Sequence, residues 1–123
     1  MKASLLCKRT DLRAAVEHLM PAISTRAPMI VLLHIAVEID PKLNLIHLSS
    51  TDLEVRISTS IPAQITMETD MPEAFLIPAQ IFSDLLAIME GEQVRLVVDG
   101  HSLLVQTGAT KTRISLLAED EFP

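Results

Sequence analysis

Apolar and polar residues alternate with two different periods along this chain, and each period predicts a different kind of element. Leu12, Val16 and Leu19 recur at helical spacing, and a broader apolar stripe follows Pro78, so both segments are expected to be helices. Most other segments alternate with the period of two that is typical of strands. The pattern therefore predicts two amphipathic helices among several strands.

The first helix is expected to begin at Thr10, whose hydroxyl would cap it, and to end at Pro21. The second helix is expected to begin at Pro78 and to end near Gly91. Its predicted apolar stripe consists of Ile81, Phe82, Leu85, Leu86, Ile88 and Met89. The predicted strands cover residues 2–8, 30–40, 43–48, 53–60, 74–77, 93–98, 101–107 and 111–117, and the fourth is expected to resume beyond Pro62.

The order strand, helix and three strands occurs twice, and the second round starts near Ala74. The predicted fold class is therefore α+β, a duplicated β-α-β-β-β unit. Each helix offers one apolar stripe and each strand one apolar face, so two antiparallel sheets should carry both helices on one side. A chain of 123 residues can bury one core, and we expect residues 1–123 to form a single domain.

Composition and charge narrow the function classes. The formal net charge is −6, and the chain has three Phe but neither Tyr nor Trp, which disfavours a module that stacks single-stranded bases on aromatic rings. Lys8 and Arg9 interrupt the N-terminal apolar run, and no apolar segment is long enough to span a bilayer. A cytoplasmic location without a membrane partner is expected. The single cysteine, Cys7, is expected to be a buried apolar residue.

Motifs for catalysis or for metal binding are absent from the sequence. None of the four histidines has metal-ligand spacing to another ligand, and three glycines cannot supply a phosphate-binding loop. The acidic residues are scattered over turns and helix faces. The sequence therefore predicts neither an enzyme nor a cofactor.

Four short motifs carry a resemblance to a known family. Met1-Lys2 opens a strand, Thr51-Asp52-Leu53-Glu54 enters one, Ile77-Pro78-Ala79 opens the second helix, and the tail runs from Arg113 to Pro123. In this order, over essentially the whole chain, they resemble the N-terminal domain of the bacterial sliding clamp, the β subunit of DNA polymerase III. The resemblance implies the DNA clamp fold and a non-catalytic processivity factor.

In that family each subunit has three such domains, and two subunits close head to tail into a ring around duplex DNA. The resemblance implies that the chain helps to encircle duplex DNA and to tether the replicative polymerase, without reading base sequence. It names other clamp domains as partners by head-to-tail association, with DNA polymerase and the clamp loader as further candidates. The chain corresponds to the first clamp domain, and it is either a fragment or a single-domain protein whose copies, about six by analogy, close the ring.

Five residues are expected to bind DNA: the resemblance marks Arg26, Gln80, Lys111 and Arg113, and the first helix offers Arg13 against Asp11 and Glu17. Arg26 matches a family arginine that contacts DNA, Gln80 stands where the family favours a basic residue, and Lys111 and Arg113 fall where the family has basic residues. The expected outward face of the second helix has no positive charge, and it comprises Ala79, Gln80, Ser83, Asp84 and Ala87.

This shortage of positive charge keeps an alternative function open. A stand-alone clamp-like module would bind a clamp or a clamp loader and modulate replication without encircling DNA. Loss of salt-dependent DNA retention together with co-purification with a clamp would favour that alternative.

Overall fold

The computed structural model describes residues 2–23, 29–118 and 122–123. This part of the chain contains nine strands and two α-helices. In chain order they are β1 (Lys2–Lys8), α1 (Arg9–Leu19), β2 (His34–Asp40), β3 (Leu45–Thr51), β4 (Arg56–Pro62), β5 (Gln64–Met67), β6 (Glu73–Pro78), α2 (Ala79–Ile88), β7 (Gln93–Asp99), β8 (Ser102–Thr107) and β9 (Thr110–Ser115).

The strands form two antiparallel sheets, as predicted. One sheet has five strands in the order β5-β1-β7-β8-β9, and the other has four in the order β4-β3-β2-β6. Both three-strand meanders are present, which confirms the duplicated plan. The first strand of each unit pairs within the sheet of the other unit: β1 pairs with β7, and β6 pairs with β2. The two repeats are therefore joined by main-chain hydrogen bonds.

The segment beyond Pro62 does not simply continue the preceding strand. Ala63 separates β4 from β5, and β5 pairs with β1 in the five-stranded sheet. At the opposite end, the main chains of Leu76 and Leu117 exchange two hydrogen bonds of 2.9 and 3.1 Å. The two sheets are thus connected on both sides, once covalently and once through this bridge.

One apolar core lies between the sheets and the helices. The inward side chains of both sheets belong to the same cluster as the buried faces of α1 and α2. Among the largest fully buried side chains are Leu5, Leu12, Ile35, Phe82 and Leu86. The two helices contact each other directly, which places them side by side over the sheets.

Two details of the helices differ from the sequence predictions. Thr10 is not a cap, because α1 begins at Arg9, whose main-chain N–H donates to the carbonyl of Glu92 at 2.9 Å. In α2 the predicted stripe is too broad: Phe82 is buried, whereas Ile81 is 58% exposed and Ile88 is 78% exposed. The helix is only ten residues long, and one narrow face covers the core. The orientation of α2 that exposes Ile81 and Ile88 also buries Ala79, which was expected to face outward.

The segment Ile30–Leu33, predicted as the start of a strand, is a 3₁₀-helix, and β2 begins at His34. The His34 ring and the carbonyl oxygen of Ile30 share a hydrogen bond of 2.9 Å. Val31 and Leu32 pack on the outward side of Leu76, where Phe122 also makes contact. The alternation of residue types did not reveal this 3₁₀-helix, because Val31 and Leu32 belong to a second, smaller apolar cluster and not to the main core.

The fourth predicted strand also begins later than expected. Asp52 accepts main-chain N–H bonds from Glu54 at 2.9 Å and Val55 at 2.8 Å, and Leu53 has a positive φ of 82°. These bonds form a turn, so β4 begins at Arg56. Because the turn projects from the sheet, Leu53 and Val55 are exposed and do not face the core.

Candidate functional site

The outward surface of the two helices is the first candidate site, and we call it the helix face. It is formed by the exposed residues of α1 and α2. These residues are Thr10, Arg13, Ala14, Glu17, His18, Gln80, Ile81, Asp84, Ala87 and Ile88. Arg13 and Gln80, two of the predicted DNA-binding residues, lie together on this surface.

Arg13 is paired with an acid one helical turn away. Its Nε donates to Oε1 of Glu17 at 3.1 Å, and both side chains are well exposed. An exposed pair of this kind contributes only about 0.3–0.5 kcal/mol to stability. The guanidinium retains further N–H donors for an anion such as phosphate, but Glu17 competes for it.

Gln80 forms the equivalent pair on α2. Its Nε2 donates to Oδ1 of Asp84 at 2.9 Å. The second N–H of the amide is still available, so Gln80 can donate to a phosphate oxygen without adding charge. Asp84 stands beside that donor and would repel the same phosphate.

The helix face is nearly neutral. Its exposed charged residues are one cation, Arg13, and two anions, Glu17 and Asp84, with His18 taken as neutral. The formal net charge of these exposed residues is therefore −1. The surface can therefore attract phosphate only weakly and at isolated points.

Lys111 and Arg113 lie on a different surface. In β9 the inward side chain is Ile114, which is buried, so Lys111 and Arg113 project from the outer face of the five-stranded sheet. Nη1 of Arg113 donates to Oγ of Ser102 on β8 at 2.8 Å. These two residues therefore do not share one contact surface with Arg13 and Gln80.

Arg26, the remaining predicted DNA-binding residue, lies outside the described residues. Its proposed role rests on the family resemblance.

Three cations that sequence reasoning missed lie on the same outer face as Lys111 and Arg113, and all three are exposed. Lys8 on β1 and Arg95 on β7 are near neighbours, whereas Lys2 lies at the far end of β1 beside Asp99. Nη1 of Arg95 donates to Oγ of Ser4 at 2.9 Å. The alternation within each strand predicts that Lys8 and Arg95 point outward. Their proximity follows only from the pairing of β1 with β7.

The polar clusters elsewhere offer little chemistry. Cys7 is buried, and burial, with a smaller contribution from Asp11, raises the pKa of its thiol to about 12. The thiol is therefore protonated and unreactive at neutral pH. His47 contacts Ser60 at 2.7 Å and Asp40 at 3.9 Å on the outer face of the four-stranded sheet. Asp40 already accepts main-chain bonds from the turn that follows it, so it serves that turn.

No group of three or more His, Cys, Asp or Glu among the described residues could hold a metal ion. In the same part of the chain, no helix is both long enough and apolar enough to cross a membrane.

The geometry defines a class of protein. Two adjacent helices backed by two antiparallel sheets, built from a repeated β-α-β-β-β unit, form the domain of a DNA clamp. The family model for the DNA polymerase III beta subunit, N-terminal domain, matches residues 3–123, and the chain belongs to this family.

Comparison with individual proteins agrees with this assignment. The chain is 23% identical over 126 aligned positions to the beta sliding clamp of Synechocystis sp. (strain ATCC 27184 / PCC 6803 / Kazusa), covering 97% of this chain and 31% of the relative. It is similar in structure to the DNA polymerase sliding clamp of Bacillus subtilis, with a TM-score of 0.88, 18% identity, and coverage of 100% and 33% of the two chains.

The DNA polymerase III beta subunit of Thermotoga maritima is also similar, with a TM-score of 0.85, 20% identity, and coverage of 98% and 32%. At these identities the structural comparisons show the fold alone. The chain spans about a third of the length of each of these proteins.

Proposed function

We propose that this chain is a DNA sliding-clamp domain, a non-catalytic part of a ring that encircles duplex DNA and tethers the replicative polymerase. The observation that carries the proposal is the pair of adjacent helices with one continuous exposed face, in a chain that belongs to the clamp family. In this proposal residues 1–123 act as one domain, equivalent to the first domain of a clamp subunit. Action on replicating DNA places the protein in the cytoplasm.

The proposed DNA-facing surface is the helix face, with Arg13 and Gln80 as the described contacts and Arg26 added from the family resemblance. Few charged contacts suit a clamp, because a ring holds DNA by topology and must slide along it. Phosphate contacts carry no sequence information, so the binding would be independent of sequence. DNA that contacts Lys111 and Arg113 would have to pass over the outer face of the five-stranded sheet as well as the helix face.

A ring needs neighbouring domains, and the sheets offer strands with which to bind them. Within the described part of the chain, β9 and β5 are the edges of the five-stranded sheet, and β4 is an edge of the four-stranded sheet. Unpaired N–H and C=O groups of such edges readily pair with another chain. We propose head-to-tail association of clamp domains through these edges. DNA polymerase and the clamp loader would then bind the assembled ring.

The test combines assembly with DNA retention. Light scattering over a concentration series should show a closed oligomer, and the chain should be retained on a nicked circular plasmid but lost when the plasmid is linearised. Arg13→Glu should weaken binding of a short linear duplex without changing the oligomer or its retention on the circle, whereas Lys42→Glu, the same charge change in a turn, should leave all three unchanged. A monomer at every concentration with no DNA retention would refute the proposal and support the stand-alone clamp-binding module, which the comparisons do not favour.

A further inference from the structure

The outer face of the five-stranded sheet carries a cluster of cations that lies apart from the helix face. We call the exposed side chains of Lys8, Arg95, Lys111 and Arg113 the basic patch. They lie on three of the five strands, at the outward positions of each strand, whose inward positions include the buried residues Cys7, Val94, Leu96 and Ile114. Four of the ten Lys and Arg residues of an acidic chain are therefore gathered on one surface.

Strand register places these four cations close together. Arg95 pairs with Gln106, which in turn pairs with Lys111, so Arg95 and Lys111 lie two strands apart, roughly 10 Å. Arg113 follows Lys111 by two residues on β9, roughly 7 Å away. Lys8 lies two residues beyond Leu6, the β1 partner of Arg95, and pairs with Gln93. Four positive charges thus occupy an area comparable to a small protein contact.

Neither the register nor the ion pairs neutralise the basic patch. The cross-strand neighbours of its members are Gln93, Leu6, Gln106 and Leu104, which are all uncharged. None of the four cations forms an ion pair with an acid in the described residues. The acids of this face, Asp99 and Glu68, lie beside Lys2 at the other end. Unpaired charge of one sign on a surface favours a partner of the opposite sign.

The centre of the same face is apolar. Leu6, Val97 and Leu104 are half-buried there, and Val97 pairs with Leu104 across β7 and β8. An apolar centre with a polar rim is the usual composition of a protein–protein interface. A phosphate backbone has no apolar group to cover these side chains, and the face carries no aromatic ring on which a base could stack. The partner indicated by this composition is therefore a protein.

We propose that the outer face of the five-stranded sheet is a docking surface for an acidic protein segment in which carboxylates alternate with aliphatic residues. Its carboxylates bind the basic patch, and its aliphatic side chains cover Leu6, Val97 and Leu104. The two serine hydroxyls that hold the guanidiniums of Arg95 and Arg113 keep them flat against the sheet and ready for the partner. This surface lies away from the helix face, so it can be occupied while the helices face DNA.

The test uses a short fluorescein-labelled peptide in which glutamate and leucine alternate, titrated with the chain and followed by anisotropy. Lys111→Glu should weaken binding by about tenfold, because a favourable charge contact becomes repulsive. Lys42→Glu is the matched control, since it makes the same charge change in the turn between β2 and β3, outside the five-stranded sheet, and it should leave binding unchanged. Lys111→Arg should retain binding, and the amide resonances of Leu6, Val97 and Leu104 should shift when the peptide binds.

Three results would overturn the proposal. They are no binding of the peptide to the wild-type chain, an equal loss in the Lys111→Glu and Lys42→Glu variants, or tighter binding of a labelled DNA duplex that Lys111→Glu abolishes. The last result would reassign the surface to nucleic acid. None of them depends on ring assembly or on Arg13, so failure here leaves the proposed clamp function standing.

Discussion

Neutralising the two acids of the helix face should convert it from a weak to a measurable DNA-binding surface. The change is the double variant Glu17→Gln with Asp84→Asn. Glu17 holds the guanidinium of Arg13 at 3.1 Å, and Asp84 accepts a hydrogen bond from Gln80 at 2.9 Å. With one cation and two anions exposed, the face changes from a net charge of −1 to +1.

The magnitude follows from the exposure of these groups. Each exposed charge contributes about 0.2–1 kcal/mol to an interaction at close range, so removing two repulsions should tighten DNA binding by roughly tenfold. If the freed Arg13 gains one phosphate contact, the slope of log K against log salt should steepen by about 0.9. The cost to folding is small, about 0.3–0.5 kcal/mol for the lost pair on α1.

The assay is fluorescence anisotropy of a labelled duplex over a series of salt concentrations. The matched control is Glu38→Gln with Glu54→Gln, which removes two exposed acids outside the helix face. An equal gain in this control would show that only the total charge matters. No gain in the helix-face variant would refute the assignment of the helices as the DNA-facing surface.

Three further predictions concern the core. Phe82→Ala should lower the free energy of unfolding by about 3–5 kcal/mol, whereas Ile81→Ala on the same helix should change it by less than about 0.5 kcal/mol, as measured by urea denaturation; similar values would contradict the burial of only one of them. Ser50→Ala should cost about 1–3 kcal/mol, because the buried Ser50 hydroxyl donates to the carbonyl of Leu19 at 2.7 Å at the end of α1, and Ser50→Thr tests whether a retained hydroxyl rescues it. Cys7, with its pKa raised to about 12, should resist thiol reagents until the chain unfolds, and stability should fall as pH rises from about 9 towards 12, since the unfolded thiol ionises first; rapid labelling of the native chain would contradict this.

The sequence was sufficient for the types of element and for the duplicated plan, because those depend on local periodicity. The helix that ends before Pro21 and the strand over Lys2–Lys8 are examples. Boundaries failed where apolar residues served something other than the main core. Ile30–Leu33 covers Leu76, and Leu53 lies in a turn held by the Asp52 carboxylate. Neither role is visible in the alternation of residue types.

The pairing between strands that are distant in the chain could not be predicted from the sequence. Nothing local shows that β1 pairs with β7, or that β5 leaves the sheet of β4. This limit matters for the candidate sites, because register decides which charges are neighbours. Lys111 and Arg113 were grouped with Arg13 on family resemblance, whereas the alternation of β9 places them on the outer sheet face.

Separation of the charges over two faces is compatible with the clamp function that we propose for this acidic chain. The helix face is close to neutral, so the chain should bind linear duplex DNA poorly, and low affinity for linear DNA would not argue against a clamp. A closed ring retains DNA by its topology, and a few weak contacts per domain then permit sliding. Retention on circular but not linear DNA is therefore the decisive measurement. Affinity alone depends on a strongly basic surface, which this chain does not have on its helices.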